Sequence, residues 1–165
     1  MTGQPQSAGK LNFTLLSIAL LLQHYKIKNW FIGYGTLLGL VRNHSCIEND
    51  DDIDIIMDKQ NATVLKQILS HHGFILNENQ SHFLNTHGTS SHAQIDFYLS
   101  DFKDKVNDTW SNITWTNCFP LTKYTWNMGT LYLPRQYEQN LRNRYGEQWR
   151  IPQSSKIKVG KKYII

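Results

Sequence analysis

The chain has 165 residues, a formal net charge of +4, and 40% hydrophobic and 18% charged residues. This balance is typical of one soluble globular domain with a buried core and excludes a disordered chain. Its two cysteines, Cys46 and Cys118, are too few for a disulfide framework or a CxxC metal site, so we expect free thiols.

The first part of the chain predicts a helix, a short strand and a second helical segment. Residues 11–22 (LNFTLLSIALLL) are too short to cross a bilayer and weakly resemble a signal-peptide core. We interpret them as an amphipathic helix that packs on the domain. Residues 30–35 (WFIGYG) predict a strand ending in glycines, and residues 36–42 (TLLGLVR) a helical turn with Thr36 as its N-cap.

The remaining elements alternate between strands and helices. Strands are predicted at 52–57, 73–77, 82–86 and 93–99, a hairpin at 124–134, and helices at 61–72 and 136–146. This order indicates an α/β (α+β) fold, with one mixed β-sheet flanked by helices. We expect a single domain over 1–165, with residues 1–10 and 153–165 as flanking tails.

The C-terminal tail is basic, through Lys156, Lys158, Lys161 and Lys162. Such a tail either binds an anionic partner or is a solvated terminus. Because no aromatic-and-basic RNA-binding module is present, nucleic acid is not an expected partner. We expect a soluble chain with no transmembrane span, cytoplasmic as the chain stands, or in the Golgi lumen if it is a eukaryotic secretory protein.

An acidic cluster stands at the start of the strand at 52–57. Side chains alternate along a strand, so Asp50, Asp52 and Asp54 are expected to share one face. Carboxylates this close either raise each other's pKa or bind a cation, and Mg²⁺ prefers such oxygen ligands. A solvated loop is the simpler alternative. An EF-hand does not fit, because Ile55 stands where that loop needs glycine.

Two further segments carry groups suited to phosphate chemistry. Gly35 and Thr36 form a glycine turn before a helix N-terminus, where N–H groups can bind phosphate, and Arg42 supplies a planar cation. Asp96 stands alone among apolar residues in the strand at 93–99. It is either one half of a salt bridge or, beside a metal on Asp52 and Asp54, a third ligand or general base.

These segments together resemble the LicD/fukutin family. FIGYGTLLGLVR (31–42) followed by ENDDDIDIIM (48–57) is similar to its paired signature, QIDFY (94–98) to a third block, and residues 133–152 to its C-terminal signature. Tyr145, Gly146, Trp149 and Pro152 stand at the expected places of that last block. Glu48 and Asn49 depart from the family, which usually has proline and an aromatic residue there.

The resemblance implies a nucleotidyltransferase-like fold and a metal-dependent phosphotransferase. Such an enzyme moves a phospho-alditol or phosphocholine group from a CDP-activated donor to a glycan hydroxyl and releases CMP. The implied site residues are Asp50, Asp52 and Asp54 for Mg²⁺ or Mn²⁺, Asp52, Asp54 and Asp96 for catalysis, and Gly35, Thr36 and Arg42 for the nucleotide phosphates. The alternatives are a nucleotidyltransferase that transfers NMP and releases pyrophosphate, and a non-catalytic binding domain of the same fold.

Overall fold

The structure, a computed structural model, describes residues 3–153, 157–159 and 162–164. Within these residues the chain forms four α-helices, eleven β-strands and a 3-10 turn at Lys59–Asn61. The helices are α1 (Ala8–His24), α2 (Tyr34–Asn43), α3 (Ala62–His71) and α4 (Tyr137–Tyr145). The strands are β1 (Trp30–Ile32), β2 (Asp52–Asp58), β3 (Leu76–Gln80), β4 (Phe83–Thr86), β5 (Gln94–Phe102), β6 (Val106–Asp108), β7 (Ile113–Trp115), β8 (Thr122–Trp126), β9 (Gly129–Leu133), β10 (Ile157–Val159) and β11 (Lys162–Ile164).

Seven strands form one mixed sheet, in the order β1-β2-β5-β4-β3, with β6 pairing β5 and β7 pairing β6. Strands β2 and β5 run parallel, whereas the other paired strands of this sheet are antiparallel. The chain between β2 and β5 carries α3, β3 and β4, which supply the long crossover that parallel neighbours need. The predicted α/β (α+β) class, with a mixed sheet flanked by helices, is confirmed.

Helix α1 is the predicted amphipathic helix, although it extends beyond residues 11–22 at both ends. The Ser7 side chain accepts a hydrogen bond from the Lys10 N–H and caps the helix N-terminus. The buried side chains recur at helical spacing, so one stripe of the helix faces the core. They include Leu11, Leu15, Ile18 and Leu22, and the helix packs against β2 and β9.

Helix α2 begins earlier than the sequence predicts, and the prediction that Thr36 is its N-cap is wrong. The N-cap is Gly33, and the first helical residue, Tyr34, has a φ of 47°. Thr36 lies inside the helix, where its hydroxyl accepts a hydrogen bond from the Asp54 N–H at 2.9 Å. The hydroxyl therefore joins α2 to β2 instead of capping the helix.

The later elements follow the sequence prediction only in part. The strand predicted at 73–77 begins only at Leu76, as β3, because Gly73, with a φ of 80°, still belongs to the turn after α3, and the short strands β10 and β11 were not predicted. Strands β8 and β9 form the predicted hairpin, and α4 ends at Gly146, whose φ of 88° lies in the left-handed region favoured by glycine. Strands β6 and β7 were not predicted. Each has three residues and only one buried apolar residue, Val106 in β6 and Trp115 in β7. A strand this short does not show the alternation of apolar and polar residues by which strands are predicted.

Part of the predicted N-terminal tail, residues 1–10, belongs to the fold. Residues 8–10 belong to α1, and Gln6 exchanges backbone hydrogen bonds with Asp50 (2.8 Å) and Asn49 (2.9 Å). The side chains of the predicted basic tail, Lys156, Lys158, Lys161 and Lys162, lie outside the described residues. No helix in the described part of the chain is long and apolar enough to cross a membrane.

Both cysteines are buried free thiols. Burial raises the pKa of the Cys46 and Cys118 thiols to about 12 in each case. Nearby Asp50 adds to the effect at Cys46. Both side chains therefore remain protonated at neutral pH and pack as small apolar groups.

Replacing Leu15 by alanine tests whether the buried stripe of α1 holds the helix on the sheet. Leu15 is fully buried, so we expect Leu15→Ala to lower the free energy of unfolding by about 2–5 kcal/mol. The matched control is Leu20→Ala, on the same helix with the side chain 40% exposed, which should cost about 1 kcal/mol or less. Urea unfolding followed by circular dichroism measures both, and equal losses would contradict this packing.

Candidate active site

The register of β2 and β5 brings three of the predicted carboxylates together. In this parallel pair Asp54 stands opposite Asp96, and Asp52 stands opposite Gln94. Paired residues of neighbouring strands project from the same face of a sheet. One carboxylate oxygen from each of Asp52, Asp54 and Asp96 accordingly lies within 4.8 Å of the other two. We call these three residues the acid cluster and this side of the sheet the acid face.

Asp54 is the most constrained member of the acid cluster. It is 1% exposed, and its two carboxylate oxygens accept hydrogen bonds from the Gly35 N–H at 3.1 Å and the Tyr98 hydroxyl at 2.9 Å. Its own N–H donates to Thr36, as described above. The side chain is held from α2 and from β5 at the same time, so its carboxylate is fixed in position before any ligand binds.

Tyr98 is a neutral donor within this arrangement. Burial raises its pKa well above the usual value, and the carboxylates of Asp54, Asp96 and Asp52 raise it further, in that order. The phenol keeps its proton because a phenolate here would be both desolvated and repelled by the carboxylates. Tyr98 thus donates a hydrogen bond to the Asp54 carboxylate without adding another negative charge.

Asp96 lies beside Asp54 and is 8% exposed. Its carboxylate accepts a hydrogen bond from the Gln94 side-chain amide at 2.7 Å. On the other side, β4 places the buried Asn85 opposite Asp96 in the antiparallel register. Three carboxylates concentrated in a largely buried position need a compensating positive charge, and oxygen ligands at this spacing suit a hard divalent cation. The acid cluster is therefore compatible with a divalent metal site.

Asp50 reaches the site through a loop and not by strand alternation, because β2 begins only at Asp52. The loop turns at Asn49, whose φ of 68° is in the left-handed region that asparagine tolerates. Asp50, Asp51 and Asp52 form a second group of carboxylates with oxygens within 4.8 Å. The two groups share Asp52, so together they bring five carboxylates to the start of β2 and the facing part of β5.

Gly35 leaves the space that Asp50 occupies. A Cβ at this position would lie 2.8 Å from the Asp50 Oδ2 and 3.7 Å from the Asp54 Oδ2. A separation of 2.8 Å is below a normal contact, so any side chain at this position would move the Asp50 carboxylate. The close approach of the acidic loop to the helix therefore favours glycine here.

The three predicted phosphate-binding residues are distributed along α2. Gly35 and Thr36 are in its first turn, in direct contact with Asp54. Arg42 is in the last turn, seven residues after Gly35, which corresponds to about 10 Å along the helix axis. Partial burial lowers the pKa of Arg42, and Tyr145, the last residue of α4, acts in the opposite direction. The structure thus brings two of the three to the acid cluster and places Arg42 near Tyr145.

Residues 28–152 match the family described as LicD/FKTN/FKRP, nucleotidyltransferase domain. The chain belongs to this family. Membership confirms the resemblance read from the sequence, and it supports a transferase function of the phosphotransferase or nucleotidyltransferase type. The matched residues include every side chain of the acid cluster and the whole of the large sheet.

Two solved structures resemble the fold of this LicD-family chain. The crystal structure of lincosamide antibiotic adenylyltransferase LnuA, lincomycin-bound, has a TM-score of 0.55 and 18% identity, over 78% of this chain and 82% of that one. An antigenic nucleotidyltransferase-like protein from Paracoccidioides brasiliensis has a TM-score of 0.53 and 15% identity, over 86% and 71%. Both support the nucleotidyltransferase-like fold. No curated protein matches the chain in sequence.

Sequence reasoning missed several residues that complete the site. Tyr98 looked like an ordinary aromatic residue of a strand, although its alternation with Asp96 already placed both on one face. Gln94 carried the same signal, two residues before Asp96. Asn85 carried none, because its position depends on the register of β4. Strand alternation assigned Asp51 to the face opposite Asp50 and Asp52, but β2 begins only at Asp52, and the three carboxylates lie together.

Introducing a methyl group at Gly35 tests the close approach of Asp50. Gly35→Ala should keep the fold, since the group displaced is a side-chain carboxylate, but should weaken Mn²⁺ binding by about tenfold or more because that carboxylate must move. Calorimetric titration with Mn²⁺ measures the change. The matched control is Gly9→Ala in the first turn of α1, where a Cβ meets only Ser7 Oγ at 4.0 Å. Unchanged Mn²⁺ affinity in Gly35→Ala would contradict the assignment.

Proposed function

We propose that this LicD-family chain is a metal-dependent phosphotransferase. It transfers a phospho-alditol or phosphocholine group from a CDP-activated donor to a glycan hydroxyl and releases CMP. The observation that carries the proposal is the acid cluster itself, with Asp52, Asp54 and Asp96 within 4.8 Å on one face and Asp54 held by the first turn of α2. Family membership supports the reaction type.

Asp52 and Asp54, together with Asp50, are the residues that would hold Mg²⁺ or Mn²⁺. Their carboxylate oxygens fit the preference of these ions, and the Tyr98 and Gly35 hydrogen bonds orient Asp54 from behind. A bound divalent ion neutralises charge on the donor phosphates as the phosphorus–oxygen bond breaks. Proton transfer and the positioning of the substrates are carried out by residues of the chain.

The reaction is an in-line displacement at the phosphorus distal to the cytidine. The acceptor hydroxyl oxygen forms the new bond to this phosphorus, and the bond to the bridging oxygen breaks, so that CMP leaves with the electron pair. Asp96, the member of the acid cluster that lies on β5 opposite Asp54, takes the acceptor proton. Positioning and electrostatic stabilisation then supply most of the acceleration.

Gly35, Thr36 and Arg42 are proposed to form the binding site for the donor phosphates, some by direct contact and some by positioning other groups. The Gly35 N–H already donates to Asp54, so Gly35 contributes space for the acidic loop and orientation of Asp54. The first turn of α2 carries N–H groups without intrahelical acceptors and the positive end of the helix dipole, both favourable for an anion. Arg42, further along α2, would reach a more distant phosphate oxygen.

Transfer of a whole NMP group with release of pyrophosphate is the second candidate. The observation that favours it is the fold shared with a structure described as an adenylyltransferase. The two reactions leave different products, since the first releases CMP and the second releases pyrophosphate. A non-catalytic binding domain of this fold would release neither.

A thermal-shift titration with CDP, CTP, UDP and GDP tests the donor assignment. A ligand that binds only the folded state raises the melting temperature. At a ligand concentration of 100 Kd, it adds about 2.7 kcal/mol to the free energy of unfolding. We expect a rise with cytidine nucleotides in Mg²⁺ or Mn²⁺ that disappears in EDTA. A metal-dependent rise with another nucleotide would overturn the cytidine assignment, and no rise with any of them would favour the non-catalytic domain.

Neutralising Asp54 tests the catalytic role of the acid cluster. Asp54→Asn removes one charge of the metal-binding set, and we expect turnover to fall by at least about a hundredfold. The fold should persist, because the amide keeps the shape of the side chain and lowers repulsion. Asp104→Asn, at an exposed position, is the matched control and should retain full activity. Release of CMP measures turnover, and an active Asp54→Asn enzyme would rule out this role.

A further inference from the structure

A cavity of about 330 Å³ lies beside Tyr34, and no role has been assigned to it so far. Its volume is at the lower end of the range for small-molecule sites. The lining comes from α2, from β7 and the turn before it, and from one side of α4. The residues that matter for its chemistry are Tyr34, Asn112, Trp115, Asn143 and Arg144.

The cavity adjoins the acid cluster on the same face of the sheet. The Tyr34 ring, which forms one wall, lies 4.8 Å from the Tyr98 ring, and the Tyr98 hydroxyl donates to Asp54. Trp115 packs 5.1 Å from Tyr34 on the other side. The buried Tyr34 and Tyr98 rings therefore stand between the cavity and Asp54.

Arg144 brings an unneutralised positive charge to this cavity. Its guanidinium carbon lies 5.5 Å from the centre of the Tyr34 ring, in a cation–π contact. Its Nε is buried without a hydrogen-bond acceptor, and Arg144 makes no ion pair with any residue in the described part of the chain. A buried donor on a permanent cation is costly to leave unsatisfied.

Two amide side chains add polar groups to the same space. The buried Trp115 is a wall of the cavity, and its indole N–H is directed at the Tyr34 hydroxyl. The Asn143 carbonyl oxygen already accepts from Gln139 at 2.8 Å, so its NH₂ group is the part left to bind a ligand. Asn112 contributes an amide that can donate or accept.

The nearby acceptors are satisfied within the fold. The buried carboxylate of Asp108 accepts from the Tyr34 hydroxyl and from the N–H groups of Trp110 (3.0 Å) and Ser111 (3.1 Å). Asp108 does not line the cavity. The capacity that remains in the lining is thus mainly donor capacity beside one cation, and a ligand that matches it is an anion rich in hydrogen-bond acceptors.

We propose that this cavity, which we call the Arg144 cavity, binds an anionic phosphate or carboxylate group of a substrate. Arg144 supplies the charge and the planar donors, Asn143 supplies a further N–H group, and Tyr34 holds the guanidinium in place. The anion site rests on the cavity chemistry alone. Its assignment to a substrate rests on the proposed phosphotransferase function and would place a second recognition point beside the acid cluster.

Nuclear magnetic resonance of the arginine Nε–H and tryptophan indole N–H groups tests the anion site. Inorganic phosphate is titrated in EDTA at constant ionic strength, and the Arg144 signal is identified by its loss in Arg144→Gln. We expect saturable shifts of the Arg144 and Trp115 signals, and affinity lowered by about tenfold or more in Arg144→Gln. Arg144→Lys, which keeps the charge but not the planar donors, should be intermediate.

Arg150→Gln is the matched control. Arg150 also lies over an aromatic ring, 4.2 Å from the centre of Trp149, but pairs with Glu138 outside the cavity. Its loss should leave phosphate binding unchanged. Phosphate that shifts neither Arg144 nor Trp115, or that binds Arg144→Gln or Arg144→Lys as tightly as the unsubstituted chain, would overturn the proposal. Because EDTA and the absence of nucleotide remove the acid cluster from the measurement, this result is independent of the catalytic assignment.

Two phosphate esters then identify the source of the anion. Tighter binding of CMP than of glucose 6-phosphate assigns the Arg144 cavity to the donor, and the reverse order assigns it to the acceptor. Either order, read from the Arg144 signal, supports the anion site. If neither ester shifts that signal, the cavity is not a substrate site.

Discussion

The parallel pairing of β2 with β5 is the constraint on which the site depends. It places Asp54 opposite Asp96, and a slip of one residue would send one carboxylate to the other face. Two charges 4.8 Å apart repel by about 3–4 kcal/mol at an effective dielectric constant of 20. The opposite face offsets this, because Ile53, Ile55 and Phe97 are fully buried there and each contributes about 1.5–3 kcal/mol. Apolar packing holds the register that electrostatics alone would disfavour.

Helix α2 fixes the position of the Asp54 carboxylate. The Gly33 N–H donates to the Asp54 carbonyl oxygen at 3.1 Å, and the Gly35 N–H donates to the Asp54 carboxylate. The start of the helix is therefore joined to both the backbone and the side chain of Asp54. The same contacts place the Asp54 carboxylate at the positive end of the helix dipole, which is a favourable position for a negative charge. A cluster of negative charge and a phosphate-compatible helix end thus occupy one place, which suits chemistry on a nucleotide donor assisted by a cation.

In the proposed function, the acid cluster and the Arg144 cavity have separate tasks. Between them stand Tyr98 and Tyr34, both buried phenols whose pKa is raised by burial and by nearby carboxylates, so both stay neutral. These two neutral rings lie between the negative charge of Asp54 and the positive charge of Arg144. In the proposed function, the acid cluster performs the transfer and the Arg144 cavity recognises an anionic part of a substrate.

The sequence by itself determined the local features of this protein. Apolar spacing predicted α1, strand alternation placed Asp52 with Asp54, and the combined motifs identified the family. Only the tertiary structure decided that Asp96 stands opposite Asp54 and that Arg144 meets Tyr34. Strands β3 and β4 intervene between β2 and β5 along the chain, and 110 positions separate Tyr34 from Arg144. A local period reports which face a side chain takes, whereas contacts across such separations follow from the packing of whole elements, which no single segment encodes.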